Sequence, residues 1–374
     1  MNIDKRLNEM KPKDTPLLVL GYIILGMFLL LGQPANAQSA TDNVILINQV
    51  GNNLDLNIVQ DGYGNRVKNL QLTGDASLNG ASLSLDIDMV GNLNDVGLWS
   101  SGSDQNVRGN ITGNSNDLFL DAHGNSVSLQ ADVIGNNNYA WLEAGGSNSH
   151  VSNAIQLYQA GDSHYAYLES FTGTYNNIDV YQGNGQDNNH AYVYLGSNSD
   201  SNNLKVWQGK HSDGTTDNDE TGDHEAYWTV TGDNNVLASY QTDTNRANGG
   251  TNAGPHHLAN IITGDSNSVA HTQMGKAGHD GFIEITGDNN DVVLYQRGNG
   301  GVKWADIVLD GNGHSVDVNQ RGGNNATAAI DLTYGTGAYT LNLTQNVTSA
   351  AGSYSITGVC YNTAGCSVTV NGSN

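Results

Sequence analysis

Residues 232–241 read Gly-Asp-Asn-Asn-Val-Leu-Ala-Ser-Tyr-Gln, residues 264–273 read Gly-Asp-Ser-Asn-Ser-Val-Ala-His-Thr-Gln, and residues 287–296 read Gly-Asp-Asn-Asn-Asp-Val-Val-Leu-Tyr-Gln. With Gly232, Gly264, Gly287 and Gly311 in register, the third residue on is Asn235, Asn267, Asn290 or His314. The fifth is Leu237, Val269, Val292 or Val316, and the ninth is Gln241, Gln273, Gln296 or Gln320. Gly173 brings Asn176, Ile178 and Gln182 to the same places, and Gly51 brings Leu54, Leu56 and Gln60, lacking only the asparagine. The stretches ending at Gln159 and Gln208 fit once the turn is lengthened. A repeat of G-x-x-N-x-(V/I/L)-x-x-x-Q decides the fold.

Upstream of each turn glycine lies a second strand signal with period two, as in Trp228 and Val230, Ile283 and Ile285, or Ile307 and Leu309. One strand and one turn take about 11 residues, so the full strand–turn–strand unit is expected to take about 22. Such a unit cannot bury its own apolar face. Stacked about 4.8 Å apart in parallel, however, the units pair strand on strand and enclose a core. The asparagine, aliphatic and glutamine positions share one face. An inward column of Asn176, Gln182, Asn235, Gln241, Asn267, Gln273, Asn290, Gln296, Gln320 and Gln60 can hydrogen-bond along the axis, which satisfies amides that would otherwise be buried alone. Gly173, Gly232, Gly264, Gly287 and Gly311 are the turn glycines. The expected fold is all-β, a β-solenoid of stacked repeats over residues 38–325.

Within that span the glutamine is mostly missing over 62–146, where Ala122 and Ala144 are expected in its place. Insertions are expected at 210–225 and 242–257. The segment 326–374 diverges, with a loss of the Asn/Gln register that reads as end rungs or a cap. Cys360 and Cys366 are the two cysteines of the chain; they are expected to close a disulfide, since two thiols alone make a poor metal site.

Composition agrees with this reading. The 374 residues hold 47 glycines and 4 prolines, and three of those prolines (Pro12, Pro16, Pro34) lie before residue 38. Scarce proline suits a chain paired along its length. A net charge of −23, with 14 bases against 37 acids, excludes nucleic acid as a partner. Lys5, Arg6, Lys11 and Lys13 precede the apolar run Leu17–Leu31, and Ala35-Asn36-Ala37 follows. This is expected to be a secretory signal peptide over 1–37, cleaved between Ala37 and Gln38. The alternative, a membrane anchor, would need more residues than this run to cross a bilayer core of about 30 Å.

At the repeat the sequence resembles the curlin family, secreted subunits of curli amyloid fibres whose repeats carry Q-x-G-x-x-N-x-A-x-x-x-Q. Gly173, Gly232, Gly264 and Gly287 carry the half-motif, and Gln49-Val50-Gly51 adds the preceding glutamine. The resemblance is strongest over 146–322. It implies export through an outer-membrane curli-type pore, end-to-end polymerisation with itself or another curlin-like subunit, and a role in biofilm matrix and adhesion to host or abiotic surfaces. The chain departs from the family where curlin keeps its first glutamine: Phe171, Val230, Ile262, Ile285 and Leu309 stand there, so an aliphatic column replaces one glutamine ladder.

Other chemistry finds less support. His211, His224, His256 and His257 lack the spacing of a zinc helix, and the acidic stretch 213–220 lacks the spaced ligands of a calcium loop, so no metal or cofactor is expected. Glu143, Glu169, Glu225 and Glu284 recur near one place in successive repeats, as an outward solvated column would, and no nucleophile–base pair accompanies them; no enzyme is expected. Tyr165, Tyr167, Tyr192, Tyr194, Tyr227, Trp228 and Trp304 recur on strands, where they cover a thin core or dock sugar rings. The first rung, Val44–Asn48, is uncharged and expected to be adhesive. The functional expectation is a secreted subunit, major or minor, of extracellular amyloid fibres. Its rival is a monomeric secreted β-solenoid adhesin for polysaccharide or a cell surface. Assembly is expected to speed up in salt or acid, where self-repulsion falls.

Overall fold

The computed structural model describes residues 43–373 apart from 46, 50–52, 54, 69–75, 79–81, 83, 102–103, 123–125, 145–152, 171–172, 184–186, 197–198, 210–222, 243–254, 312, 333–338 and 358–365. The signal peptide with its Ala37–Gln38 junction, Phe171, His211, Cys360 and hence the disulfide lie outside the described residues.

The chain is an all-β parallel solenoid whose turns are spaced about 25 residues apart. Each turn gives one strand to each of two arms, and two arcs join them. In the turn from Tyr165 to Gly183 the first arm is Tyr165–Tyr167 and the second is Asn177–Gly183. On the second arm Ile178, Val180 and Gln182 are buried while Asp179 and Tyr181 are partly exposed, which is the period of two realised around a core. The strand pairs in parallel with Ala154–Ala160 on one side and Asn203–Gln208 on the other, so that Ile155, Ile178 and Leu204 form one column and Gln159, Gln182 and Gln208 another. Among the described residues the second arm builds an 11-stranded sheet and the first arm an 8-stranded one. First-arm pairing resumes through Lys303–Asp306, Ala326–Ala329 and Gly352–Ser353. The space between the arms is filled by fully buried aliphatics such as Leu142, Leu168, Val206, Val292 and Ile307. Burying each such side chain is worth about 1.5–3 kcal/mol.

The arcs explain the turn glycines. A Cβ on Gly232 would strike the Gly264 carbonyl of the next turn, and one on Gly264 would strike that of Gly287. The residue before the ladder asparagine is left-handed, with φ of 57° at Asn234, Ser266 and Asn289, a region where short polar residues are the best-tolerated alternative to glycine.

The structure revises three expectations. First, the step is not constant: it is 22 residues from Asn94 to Asn116 but 33 from Asn202 to Asn235. Second, the insertions are narrower than the sequence suggested. His224 and Glu225 already belong to a rung, Thr242 closes the strand Val236–Thr242, and His256 and His257 open the next rung. Third, the C-terminal segment keeps the register. Tyr339–Asn346 pairs with Val318–Arg321, and Cys366–Ser373 pairs with Tyr339–Asn346 residue for residue. Tyr339 replaces the turn asparagine there, which hid the repeat, but the alternation Leu341, Leu343, Gln345 persists and carries the strand.

Candidate functional site

The side chains that distinguish this chain run as columns along the axis. In the first, the Nε2 amide of each glutamine donates to the Oε1 of the next. Gln159 gives to Gln182 at 2.9 Å, Gln182 to Gln208 at 3.0 Å, Gln208 to Gln241 at 2.9 Å and Gln241 to Gln273 at 3.0 Å. The column continues through Gln296 and Gln320 to Gln345. The same nitrogens also donate to main-chain carbonyls across the core, as Gln182 does to Tyr165 and Asn189. Each amide from Gln182 to Gln320 is fully desolvated and bonded to a glutamine on both sides, so the column resists slippage by a residue.

A second column stands in the arc before the long strands. The Oδ1 of Asn153 accepts the main-chain N–H of Asn176, and the pattern repeats through Asn202, Asn235, Asn267, Asn290 and His314 at 2.8–3.2 Å. Asn176 Nδ2 donates onward to the Ser199 carbonyl and Asn290 Nδ2 to that of Gly311.

Gln60 does not join the glutamine column. Its amide lies beside the Asn65 carbonyl and the Met89 sulfur. Ile58 bridges to Ile87 and Thr112 to Ile134, while Val133 pairs with Gln159. Met89, Ile111 and Val133 therefore stand between Gln60 and the ladder. Gln159 Oε1 has no hydrogen-bond partner at that boundary. Ala122 and Ala144 do not fill the glutamine place either; they follow the short strands Asp117–Phe119 and Tyr139–Trp141 on the other arm, where they are buried. Val230, Ile262, Ile285 and Leu309 are buried as the aliphatic substitution requires.

A third column occupies the opposite arc, and sequence reasoning missed it. Asn65, Asn94, Asn116, Asn138, His164, Asn189, His224, His256, His279 and Lys303 follow one another. Each Asn Oδ1 or His Nδ1 accepts the next residue's main-chain N–H. The imidazole Nδ1 thus takes the place of an amide oxygen. His224 and His256 stack with ring centroids 4.9 Å apart, and His256 and His279 at 5.0 Å. His256 Nε2 faces the Thr242 carbonyl at 3.2 Å and His279 Nε2 the Met274 carbonyl at 3.3 Å. Only the neutral tautomer with its proton on Nε2 satisfies both sides. Burial, with further depression from neighbouring imidazoles, holds His256 and His279 well below the ordinary histidine value, and burial pulls His224 down to about 3. The column reaches Lys303, whose ammonium is held by the carbonyls of Gly300, Gly301 and Asn324 at 2.7–3.2 Å while burial lowers it to about 8. The signal was present in Gly62-x-x-Asn65, Gly91-x-x-Asn94, Gly113-x-x-Asn116, Gly135-x-x-Asn138 and Gly161-x-x-His164, the same offset that His314 obeys.

These histidines are structural, and among the described residues no group of three or more His, Cys, Asp or Glu is placed to hold a metal ion. His257 points outward instead, with its Nδ1 2.8 Å from Glu225 Oε2. The glutamates do not form one solvated column. Glu225 pairs in register with His190, whereas Glu169 is buried against the Tyr167 hydroxyl, and burial raises its carboxyl to about 7.

Aromatic columns line the outer faces of both arms. Tyr139 stacks on Tyr165 at 4.9 Å and 9°, Tyr192 on Tyr227 at 4.8 Å and 9°, and Tyr158 on Tyr181 at 5.0 Å and 10°. Tyr167 packs against Trp141, Tyr194 lies half-buried beyond it, and Trp304 pairs with Thr327. Trp228 turns inward and is buried. In each stacked pair one face of each ring lies against its neighbour along the axis.

The two ends differ from the middle. The strands Val44–Ile45 and Cys366–Ser373 each have a partner on one edge only among the described residues. Ile45 is 46% and Val59 51% exposed, and Leu56, Ile58, Ile356, Val368 and Val370 are only partly covered by the core. No family model matches the chain, and no curated protein matches it.

Proposed function

We propose that this protein is a secreted, curlin-like structural subunit that assembles end to end into extracellular amyloid fibres for biofilm matrix, adhesion and cell aggregation. One observation carries the reading: asparagine and glutamine columns repeat from rung to rung through the stack, and the first and last strands, Val44–Ile45 and Cys366–Ser373, each have a partner on one edge only among the described residues, beside half-covered aliphatics. An unpaired edge with apolar neighbours is a site of strand addition. A second copy would continue the parallel stack at the spacing used inside the chain. Export through an outer-membrane curli-type pore, and a role as major or minor subunit, follow from the curlin resemblance.

The rival, a monomeric adhesin gripping polysaccharide, rests on the outer aromatic columns. Sugar rings dock on exposed aromatic faces, and in the stacked tyrosine pairs one face of each ring is taken by its neighbour, which favours the fibre. The test is thioflavin T fluorescence of the purified chain lacking residues 1–37, with and without sonicated seeds, followed by fibre diffraction. A lag abolished by seeds and a meridional spacing of about 4.8 Å are expected. A chain that remains monomeric and β-rich over days overturns the fibre reading.

A further inference from the structure

One rim of the solenoid is acidic over the rungs from Asp200 to Asp288, and the opposite rim, acidic at Asp162 and Asp187, turns basic over the three rungs from Lys276 to Arg321. In the arc before the long strands, Asp200, Asp233, Asp265 and Asp288 form a column. Thr174 N–H donates to Asp200 Oδ1 at 2.7 Å, Asp200 N–H to Asp233 at 2.7 Å, Asp233 N–H to Asp265 at 2.8 Å and Asp265 N–H to Asp288 at 2.8 Å. These bonds fix one carboxylate per rung along that rim. At the far ends of the strands that follow Asp265 and Asp288 the sign reverses. Met274, Arg297 and Arg321 are in register on adjacent strands, and Lys276 follows two residues after Met274.

Like charges directly opposite on neighbouring strands are destabilising. Among the described residues no carboxylate pairs with Lys276, Arg297 or Arg321. In a chain of net charge −23 with only 14 bases, three cations on one rim over three rungs call for an anionic partner. A seven-residue strand spans about 20 Å, so the aspartate rim of the same copy is out of reach.

We propose that the basic rim of Lys276, Arg297 and Arg321 seats against the aspartate rim of a second copy of this chain lying alongside. A sideways translation without axial shift keeps all rungs level. It brings Lys276 beside the partner copy's Asp265 and Arg297 beside its Asp288, because each cation ends the strand that its matching aspartate precedes. The rise per rung is common to both rims, so both pairs form at once, and Arg321 adds positive charge one rung further on. The contact is head-to-tail and does not close, so copies add in rows. Single exposed ion pairs are weak, and the contact gains strength where stacked copies repeat it. In that respect alone it rests on the proposed fibre.

The experiment couples lysine to carboxylate with a zero-length carbodiimide in a mixture of ¹⁴N- and ¹⁵N-labelled full chain, and reads the linked peptides by mass spectrometry. Links from Lys276 to Asp233, Asp265 or Asp288 of the other isotope are expected. Their yield should fall at least tenfold in the double variant Arg297→Gln, Arg321→Gln and in 0.5 M salt. No such links, or a yield indifferent to the arginines, overturns the proposal. So does alginate, added as an acidic polysaccharide probe, if it binds at this rim while copies stay unlinked. Seeded thioflavin T growth of the same variants separates the two readings. Links lost with growth intact are the result expected of rim pairing in an end-to-end fibre, and links present without growth would count against the fibre alone.

Discussion

The histidine column makes stability depend on pH in a way that one set of substitutions can isolate. His224, His256 and His279 each accept a main-chain N–H through Nδ1, so a proton at Nδ1 would set donor against donor. Titratable neighbours oppose the charge as well: His257 beside His224, His271 and His257 near His256, and Lys303 beside His279. The folded values lie below the unfolded value of about 6.5. The stabilisation is therefore complete above that pH and is lost as pH falls from about 6.5 toward the folded values, with unfolding taking up protons. Between pH 7.5 and 5.5 each imidazole that stays neutral in the fold costs about 1.4 kcal/mol of stability, and the three together cost about 4 kcal/mol. Asparagine holds the same column position in Asn138 and Asn189, so the triple variant His224→Asn, His256→Asn, His279→Asn keeps the acceptor and removes the titration. Urea unfolding followed by circular dichroism at the two pH values should show the wild type losing about 4 kcal/mol more than the variant. Glu169, which burial raises to about 7, works in the opposite sense but equally in both proteins, so it cancels. The hydrogen-exchange protection factors of the main-chain amides at positions 256, 279 and 303 should fall in acid in the wild type alone. Equal pH dependence in the two proteins, within 1 kcal/mol, would refute the claim that these rings are obligatory neutral acceptors.

Gln241→Leu removes the donor to Gln273 Oε1 and to the carbonyls of Glu225 and His256; a loss of about 3 kcal/mol is expected, read from the urea midpoint at constant slope. His271→Leu should act in the other direction: neither ring nitrogen has a hydrogen-bond partner, and Leu294 fills the same inward position one rung on. A gain of about 1–2 kcal/mol is expected, and destabilisation would mean that the ring is bonded in solution. Raising salt at fixed pH 7.5 should shorten the lag of unseeded growth, since the self-repulsion of a chain of charge −23 is screened. Acid should not simply do the same, because the histidine column opposes it; a lag that shortens monotonically to pH 5 would count against that column.

What the sequence determined by itself was whatever has a period. Alternation on the long strands, the glycine every rung and the Asn-to-Gln offset of six residues are local consequences of a strand stacked on its own copy, so they are legible without a structure. The glutamine column is an example: Gln182, Gln241, Gln273, Gln296 and Gln320 all meet, because one spacing fixes them all. Residues that keep a place while changing type were harder to read. His224 and His256 looked like parts of insertions because nothing local announces that an imidazole nitrogen can replace an amide oxygen. Only pairing with Asn189 on one side and His279 on the other puts them in a rung. Gln60 erred in the opposite direction, with the right spacing but Met89, Ile111 and Val133 between it and the ladder, since a column is a property of successive turns and not of one. Which rim is acidic and which basic likewise depends on where arcs of unequal length bring Asp265, Asp288, Arg297 and Arg321. That placement is set by stacking in three dimensions, because hydrogen bonds between rungs align residues that the chain separates by anything from 22 to 33 positions.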